Sequence, residues 1–79
     1  MTNLEKYNDV FCRVLNVDAT VLDEKFTFKE VPQWDSVAHL SLISELEEAF
    51  DVLYESDDIL HYGSYLNGIE ILKKYGIEF

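Results

Sequence analysis

An all-α fold of four helices, three longer and one short, in a single domain spanning residues 1–79, is what the sequence predicts. Three features carry that prediction. Apolar residues recur at spacings of three and four rather than in alternation. Only three glycines and one proline are present to build tight hairpins. Small polar residues stand in front of the apolar-periodic runs, where helix N-termini need side-chain acceptors. With 79 residues, 48% hydrophobic and 14% aromatic, the chain has apolar material for one core and not for two.

Leu4, Tyr7, Phe11, Val14 and Leu15 form one stripe which, with Glu5 near the positive end, predicts an amphipathic helix over residues 3–16. Cys12 falls on the flank of that stripe. No base or dipole stands beside it in the sequence, so it is expected as a half-buried small residue rather than a reactive thiol. Residues 17–35 hold no period, yet Val21, Leu22, Phe26, Phe28, Val31 and Trp34 make this long first loop too apolar to hang free. Phe26, Phe28 and Trp34 are its expected anchors, with Pro32 keeping Val31 extended. Ser36 to Phe50 is the strongest helical signal of the chain. Ser56 is expected to cap a short helix over residues 57–61, and Ser64 a last helix over residues 65–75. Lys73 and Lys74 suit the negative end of that helix, and Gly76 terminates it.

Sixteen acids against six bases give a formal charge of −10, which excludes nucleic acid and anionic membranes as partners and favours basic proteins. The charge is localised. Ten acids and no Lys or Arg lie between Glu30 and Glu70, while the remainder balances six against six. A single cysteine forms no internal disulfide, and one Cys with two His makes no zinc set. No apolar run reaches the length of a membrane span, and the first residues carry no signal-peptide pattern; a cytoplasmic monomer is the expectation.

On a helical wheel, Leu42, Ile43, Leu46, Ala49 and Phe50 of the central helix share an arc of about 120°, the core face. Ser41, Ser44, Glu45, Glu47 and Glu48 cover the rest. Val37 projects among the acidic and serine positions, either as a stray surface residue or as the apolar centre of a docking patch with a charged rim. Asp35 and Ser36 stand at the first turn. One of them serves as N-cap, and the unpaired amides and positive dipole end there also favour an anion such as a phosphate ester on Ser36.

The run DSVAHLSLISELEEAFDV, Asp35 to Val52, resembles the acyl carrier protein signature: Asp-Ser, an apolar residue, then an amphipathic helix ending in Leu-Glu-Glu-x-Phe. Phe28 lies where that family has a loop phenylalanine. Ile59 and Tyr62 fall on its short third helix, and Ser64, Tyr65 and Ile69 resemble its Thr-Val entry to the last one. The resemblance thus covers nearly the whole chain. It implies a four-helix bundle of the acyl carrier protein type and a shuttle rather than an enzyme. A phosphopantetheinyl transferase would attach 4′-phosphopantetheine from coenzyme A to Ser36, and the distal thiol would carry an acyl or aminoacyl group. Asp35 would belong to the recognition motif, and Val37, Glu47 and Glu48 to the surface read by acyl-loading and acyl-transfer enzymes with basic patches. His39, Leu40, Ile59 and Tyr62 would line the mouth of an acyl cavity. Pro32, Gln33 and Trp34 replace the family's usual Leu-Gly approach to Asp-Ser. Ala38 and Ser41 stand where many fatty-acid carriers place acids. These departures point to a dedicated carrier of a specialised fatty-acid, polyketide, lipid or secondary-metabolite pathway, loaded poorly by housekeeping fatty-acid enzymes.

Three other readings bear on the same residues. A Ser36–His39 hydrolase lacks a nucleophile elbow, since no glycine lies within twenty residues of Ser36; His39 also reads as a partly buried ring. Asp57 and Asp58 lack calcium-loop spacing and suit a first helical turn. An unmodified acidic helical adaptor for a basic protein shares the charge, size and fold, and differs from a carrier only at Ser36.

Overall fold

A computed structural model describes residues 2–79; Met1 lies outside the described residues. The chain forms α1 (Asn3–Leu15), a 3-10 turn (Ala19–Val21), α2 (Ser36–Phe50), α3 (Ser56–His61) and α4 (Tyr65–Lys74). Among the described residues there is no strand, only one antiparallel bridge between Thr27 and Ser64. The expected all-α fold of three longer helices, one short helix and a long first loop is therefore present.

Thr2 and Glu5 make a reciprocal capping box at the start of α1, leaving neither of these terminal amides unpaired. Its buried face is Tyr7, Val10, Phe11 and Leu15; Leu4 is exposed, and Val10 takes the place expected for it, because the helix turns this stripe toward α2. The helices α1 and α2 close on left-handed Asn16 and Asp51, short polar residues that tolerate positive φ better than other side chains. The cap of α3 is Glu55 and not Ser56, which is already helical. No side chain closes that end, and the acids Asp57 and Asp58 complement its dipole instead. Ser64 caps α4 through Asn67 N as expected, and Gly76 (φ 87°) follows its last turn.

Fifteen buried apolar or aromatic residues form one core cluster. The radius of gyration is 11.3 Å, close to the value of about 11.6 Å for a compact chain of this length. Loop anchors Phe26 and Trp34 are buried, whereas Phe28 remains at the surface. The loop is held to the start of α4 by Phe28 N donating to Gly63 O and Tyr65 N donating to Phe26 O, each at 2.9 Å.

The core also holds a polar chain. Tyr62 OH donates to Tyr7 OH (3.0 Å), which donates to the Tyr65 carbonyl (2.7 Å). Gly68 makes this possible: a Cβ there would lie 2.2 Å from both hydroxyls. Burial pushes the Tyr7 and Tyr62 phenols well above the usual tyrosine range, so both are neutral. Burial likewise raises Tyr54, whose hydroxyl has no partner among the described residues.

Asp58 is 8% exposed and joins α3 to the end of α4 by accepting from Lys74 Nζ (2.7 Å) and Tyr75 OH (2.5 Å). These two hydrogen bonds hold its carboxyl below the usual aspartate range. Tyr75 OH in turn accepts from Glu55 N at the start of α3. No helix among the described residues is long and apolar enough to cross a membrane.

Candidate functional site

Asp35 is the N-cap of α2: its Oδ1 accepts from Ala38 N at 2.8 Å, and its carbonyl receives the first intrahelical bond, from His39 N. That division of labour leaves Ser36 as an exposed first helical residue whose hydroxyl makes no hydrogen bond among the described residues. The amides of Ser36 and Val37 lie in the unpaired first turn at the positive end of the helix. An anion bonded to Ser36 Oγ would meet these groups, so the residues present fit a phosphate ester there.

Immediately behind Ser36 the chain is fixed rigidly. Trp34 is 1% exposed and donates its indole N–H to His39 Nδ1 at 3.0 Å. Nδ1 is therefore an acceptor, the ring proton sits on Nε2, and Nε2 donates to the Ile59 carbonyl at 2.9 Å. His39 thus ties the loop, α2 and α3 together. With both nitrogens engaged it presents no free lone pair to Ser36, so the two do not form a nucleophile–base pair.

The predicted pocket residues separate. His39 and Tyr62 line a cavity of about 530 Å³ with Phe28, Lys29, Leu60 and Gly63. Ile59 is half-buried beside it and contributes its carbonyl to His39 rather than a wall. Leu40 is a correction: it is 65% exposed on the outer side of α2 beside Ser41, Ser44 and Glu45, because the wheel turns it away from the face that carries His39. Leu60 was not foreseen, since a six-residue helix gives no period from which to read an inner face. A larger concavity, about 800 Å³, lies in the first loop around Val17, Val21, Phe26, Val31 and Pro32, and contains none of the predicted site residues.

The predicted partner surface also divides. Val37 is 75% exposed and Glu48 is exposed. Glu47 is half-buried, and its Oε2 accepts from Tyr54 N at 2.9 Å, so it orders the chain after α2 as well as bordering the surface. Exposed Leu40 and Leu53 extend the apolar part of this acidic side. Elsewhere, Lys6 bonds the Ala49 carbonyl over the Phe50 ring, and Arg13 bridges Asp9 and Glu45. Cys12 is half-buried, and burial raises its thiol above the usual range, as expected of an unreactive side chain.

No protein-family model matches this chain, and no curated protein gives a significant sequence match.

Proposed function

We propose that the chain is a carrier of the acyl carrier protein type, modified on Ser36 with 4′-phosphopantetheine. The observation that supports this most is the separation of duties at the start of α2. Asp35 performs the capping, so Ser36 is exposed and has no structural hydrogen bond to give up. In the loading step Ser36 Oγ bonds to the phosphorus of coenzyme A nearest pantetheine. The bond from that phosphorus to the adenosine-bisphosphate leaving group breaks, and the serine proton passes to a base of the transferase. Once attached, the arm supplies a flexible terminal thiol that holds an acyl or aminoacyl group as a thioester and raises its effective concentration at a partner's site.

The chain's own residues orient and present the attachment point. Asp35 fixes the first turn, Trp34 and His39 fix the segment on either side of Ser36, and Lys29 places a cation on the rim of the neighbouring cavity. The base-free stretch from Glu30 to Glu70 encloses all of α2 and favours fast, salt-sensitive encounter with basic enzymes. Exposed Val37, Leu40 and Leu53 within that acidic side favour a second reading, an unmodified adaptor that docks a basic protein. A fluorescent coenzyme A analogue with a broad-specificity phosphopantetheinyl transferase separates the two: a carrier takes the label on Ser36 and loses it in Ser36→Ala, and an adaptor is never labelled.

A further inference from the structure

Resting on the carrier reading, we infer that Lys29 selects the cargo: the cavity beside His39 seats an acyl group that ends in a carboxylate, a dicarboxylic acid held through one end, in preference to a plain alkyl chain. Phe28, Leu60 and Tyr62 wall the cavity and suit an apolar body. Its other polar groups are already engaged within the protein. His39 is bonded at both nitrogens, by Trp34 and by the Ile59 carbonyl. Tyr62 OH donates to Tyr7, and Thr27 Oγ1 accepts from Glu30 N. The Gly63 amide donates to Asn67 Oδ1, and its carbonyl accepts from Phe28 N. Lys29 is exposed on this wall, and its ammonium bonds no side chain or carbonyl among the described residues.

That isolation sets Lys29 apart from the other bases. Four of the six are taken: Lys6 by the Ala49 carbonyl and the Phe50 ring, Arg13 by Asp9 and Glu45, Lys73 by Glu70, and Lys74 by Asp58. Lys25 faces the first-loop concavity, whose wall also carries Asp23 and Glu30. Lys29 faces a wall with no acid, because its neighbour Glu30 lines the first-loop concavity instead. In a chain of formal charge −10, a tethered carboxylate is repelled over most of the surface. Beside Lys29 it meets an unpaired ammonium next to apolar side chains, where partial desolvation strengthens the attraction. An alkyl chain of the same length covers the same wall and leaves that ammonium without a partner. The choice between the two cargoes therefore falls on Lys29.

The test loads the full chain and Lys29→Met with coenzyme A, pentanoyl-coenzyme A and glutaryl-coenzyme A through the transferase, confirming each product by intact mass. The two acyl groups have the same chain length and differ in ending on a methyl group or a carboxylate. Melting temperature is measured for each product at low and high salt, relative to the unloaded chain. In the unsubstituted chain the glutaryl form is expected to melt about 3 °C above the pentanoyl form at low salt, with the difference shrinking at high salt. Lys29→Met keeps an apolar stem at an exposed site and breaks no bond of the fold; it is expected to remove or reverse that order. A glutaryl form that melts no higher than the pentanoyl form, or an advantage that survives in Lys29→Met, overturns the inference and leaves the carrier reading intact. A Lys29 effect already complete in the form without an acyl group also overturns it, because the cation then serves the phosphodiester of the arm. Failure of any added mass to appear overturns both.

Discussion

Trp34 and His39 form a stacked, hydrogen-bonded pair: their rings lie 6.1 Å apart at 25°, and the indole N–H reaches Nδ1 across 3.0 Å. The residues bracket Asp35 and Ser36, so the turn that carries Ser36 is clamped from both sides. Trp34→Phe keeps a ring in the core and removes the donor. It is expected to lower stability by about 2 kcal/mol, measured by urea unfolding. A double-mutant cycle with His39→Ala is expected to give a coupling energy of about 1 kcal/mol. Additive single effects would show that the bond contributes nothing.

The buried tyrosines make opposite predictions for one substitution. Tyr7→Phe removes a hydroxyl that both accepts and donates, stranding Tyr62 OH and the Tyr65 carbonyl, and is expected to cost about 1–3 kcal/mol. Tyr54→Phe removes a buried hydroxyl that has no partner and is expected to raise stability by about 1 kcal/mol. Thermal unfolding of the two variants beside the unsubstituted chain checks the difference in sign.

Gly68→Ala would improve helix propensity at an exposed site, by about 1 kcal/mol. Here the new methyl meets the Tyr7 and Tyr62 hydroxyls at 2.2 Å. The overpacking dominates, and a net loss of about 2 kcal/mol or more is expected in denaturant unfolding.

Two pH effects follow from the fold. Asp58 is held below its ordinary value by Lys74 and Tyr75. Its contribution is complete above the unfolded aspartate pKa of about 4 and is lost as pH falls through the depressed folded value. Asp58→Asn should therefore flatten the acid limb of a melting-temperature profile. The buried Tyr7 and Tyr62 phenols are raised. Their contribution is complete below the unfolded tyrosine pKa of about 10 and declines above it, as the unfolded chain ionises first. Stability should fall above that pH, and a profile level through it would contradict burial of neutral phenols.

Periodicity sufficed for α1, α2 and α4, because each carries a stripe long enough to repeat. It reached the end of α2 at Phe50 and overran α1 by one residue, because α1 closes on left-handed Asn16, where no glycine marks the stop. The aromatic loop was legible as packed down, and Trp34 as an anchor. That its indole would meet His39 depends on the loop's path, which no local pattern encodes. Leu40 falls outside the cavity and Leu60 at its rim for a related reason. His39 and Leu40 are neighbours in sequence but lie 100° apart on the helix, and α3 is too short to show which side faces inward. Glu47 looked like surface charge because its partner, Tyr54 N, belongs to the irregular segment after α2.

The central claim is that Ser36 is an attachment point whose structural duties have passed to Asp35. Intact mass spectrometry after incubation with coenzyme A and a broad-specificity transferase tests it most directly, on the unsubstituted chain and on Ser36→Ala. The account predicts one added phosphopantetheine group on the first and none on the second. It also predicts that Ser36→Ala keeps its stability within about 0.5 kcal/mol, because the cap at Asp35 is untouched. No added mass on the unsubstituted chain, or the same added mass on Ser36→Ala, would contradict it.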